Sequence, residues 1–338
     1  MRVRVTGLLF LALSACGGTG SSPDGGRRFL SIGTAPPGGA FFVVGGALAE
    51  VLSQADSARG WQVSAESTKG TQENIRRLAR KELDLALANA SITYFAVRGE
   101  GSWGRAYPVQ TVMTLAPNVA LFIAPASGGI ESVGDLRGLR VVLGPAGAGF
   151  ESFVGPILQA HGLSYEDLKV LNATQSGAVD LLSDGAAAAA FLGGAVPTAS
   201  ITQASTSQQI HFVPFDPAAR EKLIAEYPFF EAATIPAGTY RNQNEDFEGL
   251  NVGSMHLIAN AEADADLIYQ ITRTLYENRD QIAARHPAGR FINESNVTRD
   301  TGTDFHPGAI RYYREIGIWP GNYILDPAGS PRSRALFP

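Results

Sequence analysis

The chain has 338 residues, 45% of them hydrophobic, with 27 Lys plus Arg against 32 Asp plus Glu and one cysteine. A net charge of −5 argues against a nucleic-acid surface, a lone cysteine excludes an internal disulfide, and no second long apolar segment follows the N-terminal one. A chain this long exceeds one small core and suits two lobes of ordinary domain size.

The N-terminal "MRVRVTGLLFLALSAC" places Arg2 and Arg4 before an apolar run, Val5 to Leu13, and then small residues leading to Cys16. It reads as a secretory signal peptide over 1–15. "LSAC" resembles a bacterial lipobox, which makes Cys16 the lipidated first residue of the mature protein; an ordinary cleaved signal with an incidental cysteine is the alternative. Residues 16–28, rich in Gly and Ser, form a flexible tether. Removing 1–15 takes away Arg2 and Arg4, leaving 25 basic against 32 acidic residues and a net charge of about −7.

"FLSIGT" (29–34) reads as a strand and "FFVVGGALAEVLSQ" as a helix. "WQVSAEST" (61–68) is a strand, "TQENIRRLARKE" an amphipathic helix and "LDLALAN" (83–89) a buried strand. The rhythm continues with "VALFIAP" and "RVVLGP" as strands around the helix "SVGDLRG". "LKVLNA" and "AAAAAFLGG" follow as strands around the helical "TQSGAVDLLSDG", and "IHFVPFD" closes the series. "NVGSMHLIAN" (251–260) is expected as one strand returning to the first sheet, with "ADADLIYQITRTLYENRDQIAA" as one long helix outside it. Such alternation predicts an α/β fold of two lobes. Each lobe is expected to be a mainly parallel sheet with flanking helices, and two crossing strands are expected to form a hinge. The expected divisions are 29–116 and 251–338 for the first lobe and 117–250 for the second, with the binding cleft between them.

Ligand positions in such sheets lie in the turns after strand carboxyl ends. Five such turns are "GTAPPGGAFF", "STKGTQEN", "NASITYFA", "GPAGAGFES" and "GGAVPTAS", rich in Gly, hydroxyls and amides and without Arg or His. "GPAGAGFES" (144–152) is not a nucleotide loop, because Phe150 and Glu151 stand where the phosphate-loop pattern needs Lys and a hydroxyl. A glycine turn opening a helix still offers backbone N–H groups to a small anion. The histidines at 161, 211, 256, 286 and 306 lack metal-site spacing, no G-x-S-x-G elbow occurs, and no cofactor is expected.

The pieces "IPAGTY" (235–240), "HPGAIRYYREIG" (306–317), "GTQENIRRLARKELDLALAN" and "LRGLRVVLGPAGAGFES" resemble the TAXI branch of the solute-binding proteins of tripartite ATP-independent periplasmic (TRAP) transporters. The resemblance runs from about Phe29 to Gly317. It implies a two-lobed periplasmic binding protein of the type II kind, non-catalytic; a monomer is expected. Such a receptor captures a small organic acid, glutamate- or 2-oxoglutarate-like, and delivers it to fused small and large membrane subunits. On that reading the ligand-binding candidates are Thr34, Gly39, Phe42, Thr68, Gly70, Thr71, Asn89, Gly147, Ala148, Gly149, Phe150, Gly194, Pro197 and Tyr240.

Several positions depart from the family's pattern. Ala148 and Phe150 stand where Ser and Thr are usual, Phe41 and Phe42 replace a Tyr pair, and Asn89-Ala90-Ser91 replaces Gln-Ser-Asp. The departures imply a less polar pocket, with an apolar or aromatic carboxylate held between Phe42 and Phe150. Lys69, where glycine is common, either pairs with a second ligand carboxylate or lies at the surface. Tyr240 either reaches the ligand or fixes a turn, and His306 is expected to cap the last helix. A lipoprotein sensor working with a membrane kinase is the alternative function; an enzyme on this fold would need an acid-base pair in the cleft, where the turns offer only Glu73 and Glu151.

Overall fold

The computed structural model describes residues 28–37, 40–55 and 60–320. The signal segment, Cys16, Gly39 and the last 18 positions lie outside the described residues. The first sheet holds β1 (Arg28–Gly33), β2 (Trp61–Glu66), β3 (Leu85–Asn89), β4 (Val109–Thr114) and, from far along the chain, β12 (Met255–Asn260), in the order β2-β1-β3-β12-β4. The second is built from β5 (Val119–Pro125), β6 (Arg140–Val142), β7 (Lys169–Leu171), β8 (Ala189–Gly194), β9 (Ile210–Val213), β10 (Phe230–Ile235) and β11 (Phe247–Val252). Its order is β10-β11-β5-β8-β6-β7, with β9 also on β5.

Both sheets are mixed, which corrects the expectation of mainly parallel ones. Parallel pairs occur where a helix carries the chain back, as in β1–β2, β1–β3, β6–β7 and β6–β8. Strands β5 and β12, entered from the other sheet, pair antiparallel with their neighbours, and β10–β11 is a hairpin. The α/β class with flanking helices stands.

Local chemistry explains the helices. Helix α1 (Ala40–Ala55) buries Val44, Leu48, Val51 and Leu52, and α2 (Thr71–Ala79) buries Ile75 and Leu78 while Arg77 turns outward. Every side chain of β3, "LALAN", is buried, which suits a strand covered on both faces; each buried Leu contributes about 1.5–3 kcal/mol. Helix α3 (Ala90–Arg98) starts at an Asn89 cap, α4 (Glu151–Ala160) opens directly from the glycine turn, and α5 (Gln175–Ser183) is capped by Thr174. Helices α6 (Ala199–Ser207) and α7 (Pro217–Glu226) complete the second lobe.

The expected "SVGDLRG" helix is only a 3-10 turn, Val133–Leu136, held by a Ser132–Asp135 capping box. The expected long helix is broken into α8 (Ala265–Glu277) and α9 (Arg279–Arg285), because Asn278 leaves helical geometry and its side-chain amide donates to the Thr274 carbonyl. Helix α10 (Pro307–Glu315) packs on α8.

The expected single strand "NVGSMHLIAN" is also broken: β11 ends at Val252, and Gly253-Ser254 crosses to β12 in the other sheet. Gly253 has φ 108°, and a Cβ there would lie 2.6 Å from Asn89 Oδ1, so glycine is required on both counts. Residues 115–118 make the other crossing. The two crossings are bonded together by Val252 N–H to Asn118 O (2.9 Å) and Leu115 N–H to Met255 O (2.8 Å). They form a paired connection between the sheets.

Candidate functional site

The first-lobe turns hold themselves together through side chains. Thr34 is fully buried, and both its N–H and its hydroxyl donate to the Glu66 carbonyl (2.9 and 2.7 Å). Its own carbonyl accepts the Thr68 hydroxyl (3.0 Å) and the Asn74 amide (2.8 Å). Thr68 Oγ1 accepts the Gly70 N–H, and Thr71 Oγ1 accepts the Asn89 N–H (3.0 Å). Asn89 caps α3 by accepting the Ser91 N–H (2.9 Å), while its amide donates to the Gly253 carbonyl (2.8 Å). Thr34, Thr68 and Asn89 are therefore committed to the scaffold, and Thr71 keeps a hydroxyl hydrogen without an acceptor among the described residues.

The second-lobe turn is built from backbone. Gly144, Gly147 and Gly149 have φ of 95°, 73° and 93°, values that a Cβ disfavours. Gly147 is exposed and faces open space, and Ala148 is half-buried. A Cβ on Gly149 would lie 2.9 Å from Ile92 Cδ1 and 3.0 Å from Gln72 Cγ, so this turn rests directly on α3 and α2 of the other lobe. Phe150 lies over Gly144 and against Phe153, with ring centroids 5.0 Å apart. Its ring is thus tied to its own lobe. Phe42, in the first turn of α1, is half-buried.

Two helix starts meet at this seam without side-chain caps. Helix α2 follows Gly70 (φ 106°), and α4 follows Phe150. Among the described residues, no acceptor receives the N–H groups of Thr71, Gln72 and Glu73 or those of Gly149, Phe150 and Glu151. Unsatisfied N–H groups at a helix start carry partial positive charge and favour an anion. Across the seam, Gln72 Nε2 donates to Glu151 Oε1 (2.8 Å), which also accepts the Ser102 hydroxyl (3.2 Å).

Gly194 is half-buried and Pro197, after a cis peptide, is exposed. Tyr240 is buried, and its hydroxyl accepts the Thr198 N–H (2.7 Å) at the start of α6; burial raises its phenol pKa. Of the two readings of Tyr240, the geometry places its hydroxyl on a turn. His306 caps α10, its Nδ1 accepting the Gly308 N–H. Lys69 is exposed, and its N–H donates to Glu73 Oε2. Among the described residues no group of His, Cys, Asp and Glu is arranged to hold a metal ion.

Gln72, Ile92, Ser102 and the hinge cluster were not legible in the sequence. In that cluster Arg299 pairs with Glu231 of β10 and donates to Ser254, while Asn251 bonds both Glu231 and Ser254 (2.9 Å each). Beside it, Tyr94 and Phe95 of α3 pack on Phe229, with centroids 5.1 and 5.9 Å away. Gln72 carries one usable sign, its place in the first turn of an uncapped helix.

Solved structures with this arrangement include PhnD1 from Prochlorococcus marinus in complex with methylphosphonate (12% identity, 86% of this chain and 98% of that one, TM-score 0.53). A protein from Bordetella bronchiseptica RB50 matches at 14% identity over 90% of this chain and 94% of that one, with a TM-score of 0.52. The alkanesulfonate-binding protein SsuA from Xanthomonas axonopodis pv. citri matches at 14% identity over 87% and 81%, with a TM-score of 0.45. The fold is that of periplasmic binding proteins. Residues 32–317 match the model of the NMT1-like family, and the chain therefore belongs to that family.

Proposed function

We propose that this protein is an extracytoplasmic solute-binding receptor that holds a small organic carboxylate between its two lobes and passes it to TRAP membrane subunits. The observation that carries the reading is the meeting of two uncapped helix starts, α2 from one lobe and α4 from the other, with six N–H groups free of acceptors among the described residues. Each helix start favours a negative group by about 0.3–1 kcal/mol when exposed and more when partly buried. The carboxylate and the transporter class rest on the sequence resemblance; the receptor role is supported by the family and the fold. Lipidation at Cys16 and the division into 29–116, 117–250 and 251–338 belong to the same proposal.

A receptor fits the site better than an enzyme does. Glu151, the acid at the seam, is engaged by Gln72 and Ser102, and among the described residues no base lies on it.

Thermal unfolding of the full chain with amino acids, 2-oxoacids, dicarboxylates, aromatic acids, methylphosphonate and alkanesulfonates tests this. A carboxylate at about 100 times its dissociation constant should stabilise by ~2.7 kcal/mol, a shift of several degrees. Stabilisation by the phosphonate or sulfonates alone would keep the receptor and overturn the carboxylate. No shift with any member of the panel would overturn the receptor.

A further inference from the structure

Outside the seam, the first lobe carries a second group of cationic donors. Arg76 lies four residues beyond Gln72, on the same face of α2, and its guanidinium sits over the Trp103 ring, 5.1 Å from the centroid. Trp103 packs edge-on against Tyr107 (5.0 Å), and the Arg105 guanidinium covers the Tyr107 ring at 4.9 Å. The four side chains form one unit, Arg76–Trp103–Tyr107–Arg105, beginning one residue after Ser102 at the seam.

Neither guanidinium has a carboxylate partner among the described residues, and the neighbouring acids are engaged elsewhere. Glu66 pairs with Arg77 (2.7 Å), Glu82 with Arg80 (2.6 Å), and Glu73 accepts the Lys69 N–H. Glu151 is held by Gln72 and Ser102. Both guanidinium groups hydrogen-bond the Tyr107 phenol, and the Arg105 bond first, then, against burial, the Arg76 bond lowers its pKa, with their charges adding to this. The aromatic faces and the Tyr107 oxygen fix the two planar groups, each of which has five N–H donors and so keeps others for an incoming partner, and guanidinium edges match oxyanions in bidentate fashion.

We propose that Arg76 and Arg105, braced on Trp103 and Tyr107, form a separate binding site for a small oxyanion at the rim of the lobe seam. It is independent of which solute the seam itself takes. The same oxyanion chemistry is carried by a tetrahedral dianion or by a carboxylate, so the test uses one probe of each.

Sulfate and acetate are titrated into the full chain at constant ionic strength against a chloride baseline. The readouts are Trp103 fluorescence, assigned with Trp103→Phe, and the ultraviolet titration of Tyr107, assigned with Tyr107→Phe. The proposal expects a saturable change with at least one probe, a rise in the Tyr107 pKa when it binds, and at least tenfold weaker binding in Arg76→Gln/Arg105→Gln. Arg273→Gln, distant on α8, should bind as the parent does. The probe that saturates names the chemistry. No saturable change beyond chloride with either probe, or equal binding by the double variant with its fold intact by circular dichroism, would overturn the site.

Discussion

The two halves of the seam offer different materials to a ligand. On the first-lobe side, Thr34, Thr68 and Asn89 are buried side chains whose polar atoms are engaged by Glu66, Gly70, Ser91 and Gly253. On the second-lobe side, the turn 144–150 contributes backbone: left-handed glycines and N–H groups without acceptors among the described residues. The contrast lies in the side chains: the first half locks its own into the scaffold, while both halves leave the N–H groups of a helix start unbonded among the described residues. Side-chain changes in the first half should act on stability, whereas changes of backbone conformation in the second should act on binding.

The largest expected effect loosens the locked half with acid. His256 of β12 is fully buried between Thr93 (2.8 Å) and Thr111, and burial, with Arg299 adding to it, lowers its pKa to about 3. An unfolded histidine titrates near 6.5, so between about pH 6.5 and 3 the unfolded chain binds the additional proton. The contribution of neutral His256 is present above pH 6.5 and falls by up to ~1.4 kcal/mol per unit as the pH drops through that window. Urea unfolding from pH 7 to 4 should show the slope, and His256→Gln should flatten it; an equal slope in both would remove His256 from the account.

Next comes the contrast of two glycines in the second-lobe turn. Gly149→Ala meets both an unfavourable φ and the Ile92 and Gln72 side chains, and should cost about 1–3 kcal/mol and abolish ligand-induced stabilisation. Gly147→Ala has open space and should cost ~1–2 kcal/mol from conformation alone. Equal binding by the two variants would contradict the seam contact.

Asn89→Ala removes the α3 cap and the tie to Gly253, an expected loss of about 1–2 kcal/mol in chemical denaturation, with solute affinity preserved within a few-fold. Tyr240→Phe leaves the Thr198 N–H without its acceptor, for about 1 kcal/mol. A large fall in affinity with stability unchanged would return Tyr240 to the ligand.

Much of the framework was legible because it depends on local periodicity. The strands "FLSIGT" and "LDLALAN" and the amphipathic α2 stand within a few residues of where the pattern puts them. Sheet direction was not legible, since it is set by where the chain crosses between lobes. The Gly253-Ser254 crossing looks like the middle of an apolar strand until Asn89 is seen against it. The five turns were legible as turns but not in their chemistry: whether a Thr hydroxyl faces open space or a carbonyl depends on a partner tens of residues away, such as Glu66 for Thr34. The glycine turn was more readable, because its conformation is set by the glycines themselves.

The most direct test of the central claim is amide-resolved NMR of the nitrogen-15-labelled full chain, titrated with whichever solute stabilises it in thermal unfolding. The account predicts that the N–H signals of Thr71, Gln72 and Glu73 and of Gly149, Phe150 and Glu151 move together and furthest, on both sides of the seam. Saturating binding that leaves these six amides in place while shifting others would contradict it.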